Sequence, residues 1–553
     1  MTHLDLEAKP FALSRDAIEW VVRTRQSLSL RDKLAQLFVL MASGDARSTL
    51  SMAEQFRPGG ITRLYSDDAA EERALALSLA SSLPVPPLIS ADLEGSRSGQ
   101  PFATGIPNSL GLAAVDDEAA TRDMSAVIAR EARATGLNWT FAPVLDINAA
   151  WQSAITGTNT FGSDMARVGR HAVASLSGFQ ENGLAATAKH WPGEGFDLRD
   201  QHLVTTVNPL SVEDWHARFG TLYRQAIEAG VTCVMSAHIA FPAYVRAQDP
   251  DAGPEAYRPA SLNPLLTQRL LREELGFNGL VVSDATTMAG LNDWGPRATI
   301  LPEILLAGCD MILFSDQPEE DLGHLERAVQ DGRLPLPRID EALTRVLALK
   351  ARQGLHEAQP VMPPLDVVRC AAHEARAREV LLQVPTLVKD TAGLLPLDPR
   401  QQRRMLVVSS GIYEPFRGQS LALALPGWLS DEGFEVTLFE SGMRVDPQEY
   451  DIIVYLLAEE SKIARSRLYL DWLGLTGSVY HAMRRYWHEV PTLMVSLGYP
   501  YYLQDAPRVP TYVNAYGASE AIQSAVLEAL MGRAPFLGQS PVDPFVGSDQ
   551  ARY

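Results

Sequence analysis

Cysteine is scarce: Cys233, Cys309 and Cys370 are the only three in 553 residues. Their odd number and wide spacing exclude a disulfide framework and a cysteine-built zinc site. Long apolar runs are missing as well. No stretch approaches the ~18 residues that a membrane span needs. The N-terminus, Met1-Thr-His-Leu-Asp-Leu-Glu-Ala-Lys-Pro10, has neither the basic start nor the apolar core of a signal peptide. A cytoplasmic protein without membrane association is expected. Basic residues are outnumbered, 48 Lys and Arg against 67 Asp and Glu, for a formal net charge of -19. That balance argues against a general polyanion-binding surface, so nucleic acid is not an expected partner. Low-complexity tracts and internal repeats beyond a strand–helix alternation are absent.

What remains is an ordinary globular composition, 46% apolar and 21% charged. The chain is longer than the ~250 to 300 residues that one core usually serves, so two domains are expected. Between residues 34 and 316 eight short apolar runs end in polar residues: Leu34 to Ala42, Ile61 to Asp67, Pro87 to Asp92, Leu137 to Asp146, Leu184 to His190, Val231 to His238, Gly279 to Asp284 and Asp310 to Asp316. Segments with helical spacing separate them, among them Glu118 to Ala134, Val168 to Phe179, Trp215 to Ala229 and Leu265 to Leu275. Eight buried strands alternating with helices point to a (β/α)8 TIM-like barrel over residues 1–355.

A linker over 356–368 is expected from Pro360, Pro363 and Pro364, after a helix from Arg338 to Gln353. Residues 369–553 read as a smaller α/β sandwich domain. Its helix near Cys370 to Gln383 precedes strands Met405 to Ser409, Glu435 to Phe439, Asp451 to Leu457, Thr492 to Leu497 and Thr511 to Ala515, and a helix from Ser519 to Met531 follows.

This pattern sets Asp92, Asp146, His190, His238, Asp284 and Asp316 at the C-terminal ends of barrel strands, the face on which barrel enzymes build their sites. Asp284 follows Leu280-Val-Val-Ser283, so it suits either a nucleophile held on a rigid strand or the cap of the next helix. Asp200 and His202 stand two apart on a glycine-punctuated loop, where a carboxylate can orient an imidazole for acid and base work. The bland alternative is an exposed histidine with a chance acidic neighbour. Gly193-Glu-Gly195 is a poor phosphate loop, because it carries a negative charge where the phosphate would sit. His190, His202 and His238 lack the helical spacing of many zinc hydrolases, and no metal or cofactor is expected. Lys189, His190 and Asp92 offer hydrogen bonds to a polyhydroxylated ligand. Trp139, Phe141, Phe161 and Trp191 lie near these motifs and read as core.

At these residues the chain resembles glycoside hydrolase family 3, in particular its two-domain β-N-acetylglucosaminidase branch. Lys189-His-Trp-Pro-Gly-Glu-Gly195, four residues, then Asp200-Gln-His202 follow that branch's Lys-His-Phe-Pro-Gly-x-Gly-x4-Asp-x-His pattern. Agreement continues through Asp92-Leu-Glu-Gly-Ser-Arg97, Phe141-Ala-Pro-Val-Leu-Asp146, Met235-Ser-Ala-His238, Pro259-Ala-Ser-Leu262, the Asp284 segment and Ser496-Leu-Gly-Tyr-Pro500. The resemblance implies Asp284 as the nucleophile that forms a glycosyl-enzyme. It implies His202 as acid and then base with Asp200 as its partner, and Asp92, Lys189 and His190 as binders of the terminal sugar's hydroxyls. Gln100 and Asn159 stand where the branch that recycles cell-wall fragments has arginines, and Glu194 where it often has histidine; Gln100 and Asn159 are expected sugar contacts.

The expected activity is a retaining, exo-acting β-N-acetylglucosaminidase on a small glycoside. Two alternatives use the same site, a β-N-acetylglucosaminide phosphorylase with phosphate as partner and a β-glucosidase. A catalytically silent sugar-binding protein is the alternative of another class. The expected assembly is a monomer or homodimer.

Overall fold

A computed structural model describes residues 4–43, 45–357, 361–414, 419–461 and 463–553. Pro360, one of the three prolines on which the linker reading rests, lies outside them. Eight strands run parallel in one sheet: β1 Phe38–Ala42, β2 Gly60–Arg63, β3 Leu88–Ala91, β4 Trp139–Thr140, β5 Thr187–Trp191, β6 Cys233–Ser236, β7 Leu280–Ala285 and β8 Met311–Leu313. Their order around the sheet is β4-β3-β2-β1-β8-β7-β6-β5, and every ladder is parallel. The seam between β4 and β5 is joined by bridges from Trp139 to Ala185 and from Val144 to Lys189. Thr140 N–H donates to the Ala185 carbonyl at 2.8 Å, and Leu145 N–H to that of Lys189 at 2.6 Å. This is the expected barrel. Its strands are buried almost without interruption because helices cover the outside and side chains fill the inside.

Helices return the chain from the C-terminal rim to the base. Several start on an aspartate whose carboxylate accepts a first-turn N–H, at Asp45, Asp68, Asp117 and Asp164. At the base, Asp310 is fully buried and accepts from Arg272 and Arg338 at 2.6 and 3.0 Å. A polar group at a strand's N-terminal end thus serves stability and leaves the opposite rim for chemistry.

The second sheet has six strands: β9 Thr386–Asp390, β10 Arg404–Ser409, β11 Glu435–Leu438, β12 Ile452–Leu457, β13 Thr492–Ser496 and β14 Thr511–Asn514. Their order is β9-β14-β13-β12-β10-β11, with β9 antiparallel to β14 and the rest parallel. The period of two splits the inner strands β10, β12, β13 and β14 between two cores. Met405, Val407, Ile452, Val454 and Leu456 join the large core that also fills the barrel. Leu406, Val408, Ile453, Tyr455 and Leu457 join a second cluster that includes Leu110, Ala114 and Ala154 from the barrel's loops. The sandwich is therefore seated on the rim through apolar contact. No helix among the described residues is long and apolar enough to cross a membrane.

Candidate active site

The rim above β3, β4, β5, β6 and β7 gathers most of the residues singled out by sequence. Lys189, near the end of β5, is buried, and its ammonium lies 2.9 Å from Asp92 and 2.6 Å from Glu94. Burial alone would lower its pKa, but the two carboxylates outweigh that and hold it above the usual lysine range. Asp92 remains about half exposed at 53%, so one carboxylate of this trio still faces the mouth.

His190, the next residue, donates through its main-chain N–H to Asp146 at 3.1 Å and pairs its ring Nδ1 with the same carboxylate at 2.6 Å. Burial would lower the imidazole, yet Asp146 raises it beyond its ordinary value. The Lys189–His190 and Trp191–Pro192 peptides are both cis.

Asp284 lies within β7, is 8% exposed as a residue, and its Oδ1 accepts the Ala285 N–H at 2.7 Å. Burial would raise this carboxyl. Positive charge at His190, with His238, His202 and the Ala285 N–H, outweighs burial and holds Asp284 below the usual carboxylate range. Of these histidines, buried His238 is itself pushed down by desolvation and acts mainly as a scaffold. Its Nδ1 meets Ser261 Oγ at 2.9 Å, and its Nε2 meets the Ala285 carbonyl at 3.0 Å. Of the three imidazoles, His190 contributes most to holding the Asp284 carboxyl down.

The Asp200–His202 loop completes the group. Asp200 Oδ1 accepts both the His202 main-chain N–H at 2.8 Å and the His202 ring Nδ1 at 2.7 Å. Asp200 is sealed at 0% side-chain exposure while His202 stays 28% exposed. The carboxylate is a fixed inner partner and the imidazole is the group a ligand can reach.

Several contacts hold this loop in place. A short parallel ribbon pairs Thr206–Val207 with Ile239–Ala240. Gln201 Oε1 accepts the His238 N–H at 3.1 Å, and the His202 carbonyl accepts the Ala289 N–H at 3.0 Å.

Glu194 is not the solvated anion that its place between two glycines suggests. Burial and then Asp146 push its carboxyl well above the usual range, against a single side-chain hydrogen bond from Thr206 Oγ1 at 3.0 Å. Asp316 is exposed and joins none of these pairs. Gln100 is buried against the end of helix Glu118–Ala134, where its Nε2 donates to Thr135 Oγ1 at 2.7 Å. Asn159 is half-buried, next to Thr158 on the loop after β4. No hydrogen bond among the described residues joins Gln100 or Asn159 to the Lys189–His190 group.

Sequence reasoning missed Glu94, the second carboxylate on Lys189, and did not pair Asp146 with His190. It missed also that the Arg465 N–H of the second domain donates to Asp200 Oδ2 at 3.1 Å. Glu94 was within sight, two residues after Asp92 in the quoted motif; the Arg465 contact has no sequence signal. Chemically, the group combines a carboxylate kept ionised, an imidazole on a fixed carboxylate that can exchange protons, and charged hydrogen-bonding groups beside both.

The chain is similar to known proteins over most of its length. The family model described as "Glycosyl hydrolase family 3 N terminal domain" matches residues 29–349. The "Beta-N-acetylglucosaminidase/beta-glucosidase" of Cellulomonas fimi is 40% identical over 98% of this chain and 99% of its own length. Among solved structures, a "Beta-glucoside phosphorylase BglX bound to 2FGlc" is 36% identical with a TM-score of 0.91, covering 98% of this chain and 99% of that one. A family 3 β-N-acetylglucosaminidase from Paenibacillus sp. str. FPU-7 is 25% identical with a TM-score of 0.79, over 94% of this chain and 99% of that one.

Proposed function

The chain belongs to glycosyl hydrolase family 3, and from that membership we propose that it is a retaining, exo-acting β-N-acetylglucosaminidase. The observation that carries the reading is Asp284, a buried carboxylate at the end of a barrel strand, held below the usual carboxylate range by His190 above all. Asp284 attacks the anomeric carbon of a terminal β-linked sugar, and the bond to the aglycone oxygen breaks. His202 gives that oxygen its proton. The neutral imidazole then takes a proton from the acceptor that displaces Asp284, so two inversions give net retention. Asp200 orients the ring throughout. Asp92, Lys189 and His190 hold the sugar's hydroxyls.

The Cellulomonas fimi relative's name joins N-acetylglucosamine and glucose; N-acetylglucosaminides come first here because the Asp200-Gln-His202 loop follows the β-N-acetylglucosaminidase pattern. A second reading has a specific support: a phosphorylase covers nearly the whole chain at a TM-score of 0.91. A carboxylate in place of His202 would repel an incoming phosphate dianion by roughly 8 kcal/mol at ~4 Å and an effective dielectric of ~20, whereas a neutral imidazole would not.

Product analysis separates the two. An aryl β-N-acetylglucosaminide is incubated with and without phosphate, with the matched glucoside alongside. We expect free N-acetylglucosamine in both conditions and slower release of glucose. Sugar 1-phosphate as the main product would install the phosphorylase reading. No turnover of either glycoside would overturn both.

A further inference from the structure

We propose that the second domain is a working part of the acid/base machinery, with the main-chain N–H of Arg465 as a positioning group for Asp200. The inference rests on the reading of Asp200 and His202 as the acid/base pair. Asp200 has two carboxylate oxygens. Oδ1 is fully occupied by His202, through ring and main chain. Oδ2 accepts the Arg465 N–H at 3.1 Å, from a residue 265 positions away. A carboxylate held at one oxygen can still rotate, and a donor at the second fixes its plane and hence the ring it orients.

The segment that delivers this donor is anchored on both sides of Arg465. Glu460 is half-buried and accepts from Ser96 Oγ at 2.9 Å and from the Ala518 N–H at 2.8 Å. Ser461 Oγ accepts the Thr158 N–H at 2.7 Å, and the Ser461 N–H donates to Thr158 Oγ1 at 3.0 Å. On the far side of Arg465, the Leu468 N–H donates to the Gln152 carbonyl at 3.3 Å. Between the anchors Ala464 takes a positive φ of 58°, uncommon for a residue with a Cβ, and Arg465 follows directly. The anchors grip the loops after β3 and β4, and the donor reaches the loop after β5. One stretch of the second domain thereby sets three barrel loops relative to one another.

The test removes the donor and leaves the side chain out of the comparison. Arg465→Ala is measured against the same variant with the main-chain N–H of that residue replaced by an ester oxygen. kcat/KM is read on an alkyl β-glycoside, which needs protonation to leave, and on a dinitrophenyl glycoside, which does not. A lost hydrogen bond to a charged acceptor predicts a fall of about tenfold on the alkyl substrate and less than about twofold on the dinitrophenyl one. Equal rates for ester and amide on both substrates, or equal losses on both, would overturn the proposal, since a merely structural contact does not discriminate by leaving group. Should the ester protein fail to fold, Ser461→Ala decides. It loosens the anchor, and a selective loss of about threefold on the alkyl substrate supports the proposal, whereas none rejects it. His202→Ala is run in parallel. If it loses activity equally on both substrates, the acid/base reading fails; if it is selective and the ester is not, only the role of Arg465 fails.

Discussion

Glu194 carries the clearest electrostatic consequence of a single residue. Its folded-state pKa lies above its ordinary value of 4.5 because burial and then Asp146 penalise the anion. The folded protein therefore keeps a proton that the unfolded chain releases. Stability is full below the unfolded carboxyl range and declines as pH rises through the folded value. Glu194→Gln keeps the shape and the acceptor for Thr206 but has no proton to lose. Denaturant midpoints measured from about pH 4 to about pH 8 should fall for the parent relative to the variant as pH climbs; parallel curves would contradict the neutral, buried carboxyl. At this scale the sequence was legible where partners are close along the chain. Asp200 and His202, two apart, could be paired from spacing and are paired in the structure. His190 with Asp146, Lys189 with Glu94, and Asp200 with Arg465 bring together residues 44, 95 and 265 positions apart, which only the closed barrel and the seated sandwich make neighbours.

Elements followed the hydrophobic pattern wherever one face or both are buried. All eight expected barrel strands overlap an observed strand, and Glu118–Ala134 is a helix with the expected ends. Two departures have local causes. Trp215 to Ala229, expected as one helix, divides into Val212–Ala217 and Phe219–Glu228 because Arg218 leaves helical geometry at φ -105° and ψ -92°. β9 was missed because an edge strand of five residues, with Leu387 exposed, carries little alternation to read. The loop that delivers Asp200 and His202 depends on one residue's geometry. Gly195 sits at φ 116°, and a Cβ there would lie 1.8 Å from the Ile147 carbonyl oxygen. Its own carbonyl accepts the Ala150 N–H at 2.6 Å, tying the loop to the one after β4. Gly195→Ala should cost at least about 1–3 kcal/mol in a denaturation titration, from the strained backbone alone, and lower kcat/KM because the loop must shift. Unchanged stability and activity would show that the loop does not need this approach.

Across the whole molecule, a barrel supplies the strand ends and a sandwich seated on its rim fixes the loops that rise from them. We place the division between the two within residues 356–368, after the last barrel helix, Leu336–Arg352, and before helix Ala371–Leu381. The division into barrel and sandwich was legible from composition and periodicity. The seating was not, because contacts such as Tyr499 Oη to the Trp151 carbonyl at 2.8 Å and Tyr501 Oη to Asn148 Oδ1 at 3.1 Å leave no trace in spacing. The chemistry attributed to this assembly depends on one covalent bond. The most direct measurement traps it: the enzyme is incubated with a 5-fluoro β-N-acetylglucosaminide bearing a good leaving group, which keeps the 2-acetamido group, and the intact protein and its peptides are then weighed. The account predicts one added glycosyl group, on the peptide that contains Asp284, released again on addition of an acceptor. An adduct on any other residue, or no adduct from protein that still cleaves ordinary substrates, would contradict it.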